Sequence, residues 1–167
     1  IHQKGTLKFL KKMKIPKEKI FLFLANKTEE KEYKKEIPSD MYNKCVVGKK
    51  GILNQRDFIV KYYPEGKYII SIDDDIEDLL IRVDSKKLRS INRKELINLF
   101  VNSHNLLKES GAFMWGINMV SNPFMMSDKI NTNLGIIPAG FYGFINRHKM
   151  KNKIRNDARE DVERSIM

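Results

Sequence analysis

The sequence predicts an α/β sandwich built on a largely parallel central sheet. Short apolar runs without alternation, such as Lys19 to Ala25 (KIFLFLA), read as buried parallel strands. Between them lie stretches with apolar residues three and four apart, the pattern of amphipathic helices. The order reads helix, strand, helix, strand, helix, strand, helix, strand, strand, helix, and such alternation is the mark of strand–helix–strand units.

Each element has its own signal. Thr6 to Met13 carries Leu7, Leu10 and Met13 at helical spacing, and Ile15-Pro16 stops it. Lys19 to Ala25 is the first strand. Asn26 to Glu36 is highly charged and reads as a solvated helix or loop. Val46-Val47-Gly48 is a brief strand that runs into the glycine loop Gly48-Lys49-Lys50-Gly51. Ile52 to Tyr63 follows as a helix, with Ile52, Ile59 and Tyr63 expected near its inner face. Pro64-Glu65-Gly66 is a turn, and Tyr68 to Ile72 (YIISI) is the second convincing strand. Asn92 with Glu95 forms a capping box, so a helix begins there. Its inner stripe is Leu96, Leu99, Phe100, Ser103 and Leu107, and Gly111 ends it. Ala112 to Asn118 reads as a strand. Leu134 to Asn146 reads as one or two strands broken by Pro138 and Gly140, and Asp157 to Met167 as the start of a last helix.

Composition narrows the class. The 167 residues suffice for one domain with a core, and 41% hydrophobic content argues against disorder. No apolar run approaches the roughly 20 residues that span a bilayer, so no membrane partner is expected. The opening Ile1-His2-Gln3-Lys4-Gly5 is polar and does not read as a signal peptide. Cys45 is the only cysteine, which leaves no internal disulfide and points to a reducing, cytoplasmic setting. The net charge of +11, from 32 Lys and Arg against 21 Asp and Glu, suits a polyanionic partner. It equally fits the lysine-rich composition of an A+T-rich genome. Neither end reads as a domain boundary, so a single domain over 1–167, incomplete at both ends, is expected.

The chemistry centres on Ser71-Ile72-Asp73-Asp74-Asp75. Three carboxylates at the end of an apolar strand repel one another unless a cation or solvent compensates. In extended geometry residues i and i+2 point the same way, so Asp73 and Asp75 can converge on one ion while Asp74 points elsewhere. Hard oxygen ligands without neighbouring His or Cys favour Mg²⁺ or Mn²⁺, which would bridge to substrate phosphates. A solvated acidic turn is the plain alternative. In Gly51-Ile52-Leu53-Asn54-Gln55-Arg56, a glycine loop feeds a helix N-terminus that can receive anions, and Arg56 and Gln55 lie one turn in. A surface arginine on an amphipathic helix reads the same way. Arg159-Glu160-Asp161-Val162 sets two acids early in a helix, where a carboxylate can act as general base or simply meet the helix dipole. Trp115 and Asn118 in FMWGIN, with Gly140 and Tyr142 in PAGFYG, can shape a sugar or acceptor pocket, and Trp115 can as well be core.

Together these features resemble the GT-A nucleotide-sugar glycosyltransferases. More closely, Val46 to Asp75 (VVGKKGILNQRDFIVKYYPEGKYIISIDDD) resembles the TET-associated glycosyltransferase family, and Trp115 to Met126 (WGINMVSNPFMM) and Pro138 to Phe144 (PAGFYGF) are similar to it too. The resemblance covers most of the chain. It implies a GT-A (Rossmann-like) three-layer sandwich. It also implies an inverting transfer from a nucleotide sugar, most often a uridine diphosphate sugar, to a hydroxyl. Asp73 and Asp75 would then hold the metal, with Asp73, Asp74, Gly51, Gln55 and Arg56 at the donor and Asp161 as base, Glu160 being the alternative. Members from phages and large viruses act on hydroxymethylpyrimidine in DNA, which would place the protein in the host cytoplasm with DNA as a partner. The family begins with a strand that helps bind the base, and this chain is expected to open at the helix after it. Two other classes fit part of the pattern: a metal-dependent nucleotidyltransferase, and a non-catalytic nucleic-acid-binding module derived from the same fold.

Overall fold

The computed structural model of the chain describes residues 5–127, 129–132, 135–138 and 140–149. Four helices and seven short strands lie among them, so the protein is mixed α/β. Helix α1 (Gly5–Lys12) is the first element among the described residues. Its inner residues Leu7, Phe9 and Leu10, with Met13 just beyond, are buried. Strand β1 (Phe21–Leu24) follows Pro16 and a short 3₁₀ turn. Helix α2 (Lys27–Glu36) is capped by Asn26, whose side chain accepts from the Glu29 N–H, and it buries no residue. The solvated-helix alternative for this charged segment is therefore the one adopted. Strand β2 (Lys44–Val47) lies parallel to β1, in register Phe21 to Lys44 through Leu24 to Val47.

Helix α3 (Ile52–Tyr62) and strand β3 (Tyr68–Ile72) agree with the sequence reading in extent. The inner face of α3 differs. Leu53, Arg56 and Val60 are buried, while Ile52 is 45% exposed. Leu53, Arg56 and Val60 keep the three-and-four spacing of a helix face, with an arginine in the middle position. A hairpin that the periodicity did not predict follows, made of β4 (Leu80–Arg82) and β5 (Leu88–Ser90). Helix α4 (Arg93–Ser110) has the full capping box at Asn92 and Glu95, and Gly111 ends it with φ 71°, the left-handed conformation that favours glycine. Strand β6 (Met114–Gly116) is shorter than expected, and β7 (Phe141–Ile145) begins just after Gly140. The predicted helix over 157–167 lies outside the described residues.

The largely parallel sheet is corrected. Only β1 and β2 pair in parallel among the described residues. The other main sheet has the order β3-β7-β6, with β7 antiparallel to both neighbours. β3 and β6 are thus parallel to each other, and β7 is the returning strand inserted between them. A reversal of direction, which apolar runs cannot reveal, is what the sequence pattern missed.

Packing on the β3-β7-β6 sheet is two-sided. Tyr142 and Phe144 face Val60 of α3, while Phe141, one residue out of phase, faces Leu96 in the main core. The main core also takes in Leu7, Phe9 and Leu10 of α1 and Leu24 and Cys45 of the β1-β2 pair. Helix α3 reaches β1 through aromatic edges, Phe23 against Tyr62 at 5.3 Å and Phe21 against Tyr63 at 5.9 Å. Asn146, fully buried, ties the far end together. Its amide nitrogen donates to the carbonyls of Val60, Tyr63 and Pro64 at 2.9, 2.8 and 3.0 Å. Its backbone N–H donates to Lys67, and its carbonyl accepts from Gly66.

Two expectations follow. Asn146→Asp replaces the donating amide with a carboxylate aimed at three carbonyls, and should lower unfolding stability at neutral pH by about 3 kcal/mol or more in urea denaturation. Arg89 forks onto Glu95 at 2.9 and 2.5 Å, and this contact first, then the Asn92 N–H, pushes the Glu95 carboxyl down to about 2 from its ordinary 4.5. A lowered folded value means the contribution is present above the unfolded pKa and is lost as pH falls toward 2. Stability measured across that acid range should fall in the unaltered chain, and Glu95→Gln should remove that component.

Candidate functional site

Four elements meet at the carboxyl end of β3. The strand ends at Ile72, and Asp73 N–H still donates to the Gly140 carbonyl at 2.9 Å, the last rung toward β7. The chain then turns at Asp74 and Asp75. The extended geometry expected through Asp75 therefore stops at Asp73, and the two outer carboxylates are related by a turn. All three aspartates are exposed.

The turn is held from α1. The Thr6 hydroxyl donates to the Asp73 carbonyl at 2.5 Å and accepts from the Ile76 N–H at 2.9 Å. The Thr6 N–H, one of the unpaired donors of a helix first turn, donates to the Asp74 carbonyl at 3.3 Å. Thr6 is 7% exposed. From α2, Tyr33 donates to the Asp74 carboxylate at 3.4 Å. Burial first, and then the neighbouring Asp74 charge, raises the Tyr33 hydroxyl pKa far above its ordinary value, so it remains a donor.

Arg56 is 6% exposed, which settles the choice left open by the sequence: it is no surface arginine. Its guanidinium carbon lies 5.7 Å from the Tyr142 ring centroid, and its charge acts on Asp73. The Asp73 carboxyl is open to solvent on one side, yet the protein packed on its other sides raises its pKa. Burial is the largest cause; Arg56 opposes it, and Asp75 and Asp74 add to it. A raised folded value has the opposite sign to Glu95: the contribution is full below the unfolded pKa and is lost as pH rises through the folded one.

The remaining predicted residues divide. Gly140 belongs to the site, because a Cβ there would lie 3.9 Å from the Asp73 carboxylate and 2.7 Å from the Met119 methyl. Tyr142 is 3% exposed and stands behind Arg56 as its aromatic support. Gly51 is the N-cap of α3 with φ 90°, a conformation side chains rarely adopt, so a backbone need accounts for this glycine. Gln55 folds back onto the loop before it, where its carbonyl oxygen accepts from Lys49 N–H at 2.6 Å. Its position braces the loop. Trp115 lies across β7 over Gly143, where a Cβ would come within 2.3 Å of the indole nitrogen. That nitrogen donates to the Tyr68 hydroxyl at 2.8 Å, and the ring joins the main core. The core alternative for Trp115 is therefore the one adopted. Asn118 is exposed and stitches its own loop, accepting from Val120 N–H at 2.9 Å. Glu160 and Asp161 lie outside the described residues. Thr6, Tyr33 and Met119 were not read from the sequence. A threonine one residue into a helix and a tyrosine in a charged helix carry no signal of long-range partners.

Among the described residues no three His, Cys, Asp or Glu side chains gather into a metal-holding group. No helix among them is long and apolar enough to cross a membrane. Comparison with protein-family models, with curated proteins and with solved structures returns no match.

Removing the Arg56 charge isolates its effect. Arg56→Met should raise the Asp73 pKa further above its present value, read by carboxyl NMR titration of the folded chain, because burial and the neighbouring carboxylates then act unopposed.

Proposed function

We propose that the chain is a metal-dependent glycosyltransferase domain of the GT-A type, moving a sugar from a nucleotide-sugar donor to a hydroxyl acceptor. The observation that carries this reading is the acidic turn Asp73–Asp75, fixed at the end of an apolar strand with the buried Arg56 guanidinium behind it. Ligand sites of open α/β sheets form at strand carboxyl ends. The two-sided packing of β3, β7 and β6 between α3 and the α1–α4 side supports a layered sandwich.

The residues fit a hard divalent cation. Their donors are carboxylate oxygens, they are exposed, and burial first, then repulsion from Asp75 and Asp74, raises the Asp73 pKa. Two carboxylates, from Asp73 and Asp75, would hold Mn²⁺ or Mg²⁺, leaving further positions for phosphate and water oxygens. The cation supplies charge neutralisation for a departing nucleoside diphosphate. Arg56 adds fixed positive charge on the inner side of Asp73, and Tyr142 keeps it aimed. Gly140, without a side chain, lets the Met119 methyl and the Asp73 carboxylate lie close beside it. Gly51 and the N-terminus of α3 offer backbone N–H groups to the donor, with Lys49 and Lys50 exposed beside them. In this reading Asp161, or Glu160, takes the proton of the acceptor hydroxyl. The donor is a uridine diphosphate sugar, and the net charge of +11 suits DNA bearing hydroxymethylpyrimidine as acceptor.

The test is a thermal shift with Mn²⁺ and a panel of nucleoside diphosphates. A ligand that binds only the folded state raises the apparent melting temperature. We expect a rise that needs both Mn²⁺ and one nucleotide and disappears in Asp75→Asn. A shift that survives Asp75→Asn at saturating metal would remove Asp75 from the metal site, and no shift with any nucleotide would count against the donor site itself.

A further inference from the structure

We propose that Thr6 is the positioning residue of the acidic turn, setting the geometry in which Asp73 and Asp75 present their carboxylates; this rests on the metal-dependent reading above. In a closed β-turn the carbonyl of the first residue accepts from the N–H of the fourth. Here the first and fourth residues are Asp73 and Ile76, and the Thr6 hydroxyl stands between them. It donates to the Asp73 carbonyl at 2.5 Å and accepts from the Ile76 N–H at 2.9 Å. One hydroxyl, from a residue 67 positions away, thus replaces the turn's own hydrogen bond. The Thr6 N–H adds a third tie, to the Asp74 carbonyl at 3.3 Å.

This arrangement leaves little slack. Asp73 is held at its N–H by Gly140 and at its carbonyl by Thr6, so its side-chain direction is set from both peptide groups. Asp75 lies between two tied positions, the Asp74 carbonyl and the Ile76 N–H. Thr6 itself is nearly solvent-free, so water does not readily substitute for its hydroxyl. The close fit continues at Gly5, where a Cβ would lie 3.1 Å from the Glu77 side chain and 3.5 Å from the Asp75 backbone. The hydrogen bonds of Thr6 to this turn all go to backbone groups. Thr6 acts on the two outer acids only through the backbone that carries them, as supporting shells do for metal ligands.

The experiment is a Mn²⁺ titration followed by electron paramagnetic resonance, with uridine diphosphate present, on the full chain and on Thr6→Val, Thr6→Ala, Thr6→Ser and Asp75→Asn. Amide exchange at Ile76 is followed in parallel, without metal. Thr6→Val keeps the shape and loses the hydroxyl; Thr6→Ala serves if the valine chain does not fold. The expected result is Mn²⁺ affinity about tenfold weaker in the valine or alanine chain and close to the unaltered value in the serine chain, with faster Ile76 exchange only where the hydroxyl is gone. A folded valine or alanine chain that binds Mn²⁺ like the unaltered one overturns the role of Thr6 while leaving the metal site standing. So does a serine chain as weak as the valine one. If the unaltered chain binds Mn²⁺ no better than Asp75→Asn, the metal reading falls, and the positioning role with it.

Discussion

A buried guanidinium is the constraint from which the rest of the arrangement follows. Arg56 occupies the middle of the inner face of α3, between Leu53 and Val60. A charge in that position is tolerated only where opposite charge and polarisable surface lie close. The end of β3 supplies Asp73, and β7 supplies the Tyr142 ring. That requirement places the carboxyl end of β3 beneath the first turns of α3. It also puts Tyr142 on the α3 side of the sheet, and with it Phe144, while Phe141 turns to the opposite core. One arginine therefore links the register of β7, the seating of α3 and the location of the acidic turn.

Much of this was legible in the sequence, for reasons that are local. The strand Tyr68–Ile72 is bounded by a glycine turn and an acidic triplet, and both ends are chemical. The capping box at Asn92 and the stop at Gly111 bracket α4 because both signals are local, a pair of hydrogen bonds across three residues at one end and a left-handed backbone at the other. What escaped was decided by partners far along the chain. Ile52 and Ile59 are more apolar than Arg56, so hydropathy alone chose them for the inner face of α3. The charge partner that reverses the choice lies in another element. The antiparallel course of β7 is equally silent, because the same apolar residues serve a strand running either way. The hairpin of β4 and β5 has only three residues in each strand, too few for a period to show.

The candidate site shows the same division. Asp73 to Asp75 announce themselves as three acids in a row, and Gly140 as one of two closely spaced glycines in PAGFYG. The sequence offers Trp115 as a pocket or core residue and Gln55 as a donor residue, yet one covers a glycine in the sheet and the other braces a loop. Both are demands of packing that a sequence motif does not separate from demands of ligand. Thr6 is the converse case: an ordinary residue type whose importance arises only from where its hydroxyl falls.

The ties that shape this region span long stretches of chain. Thr6 and Asp73 are 67 residues apart, and Asn146 reaches back 86 residues to Val60. Contacts of such separation require large loops to close, at a cost in chain entropy. Without the α1 and β7 segments in place the acidic turn lacks the ties to Thr6 and Gly140 that shape it. Completion of the acidic turn and completion of the fold are in this sense a single event, because the Asp73 rung to Gly140 exists only once the β7 segment has docked.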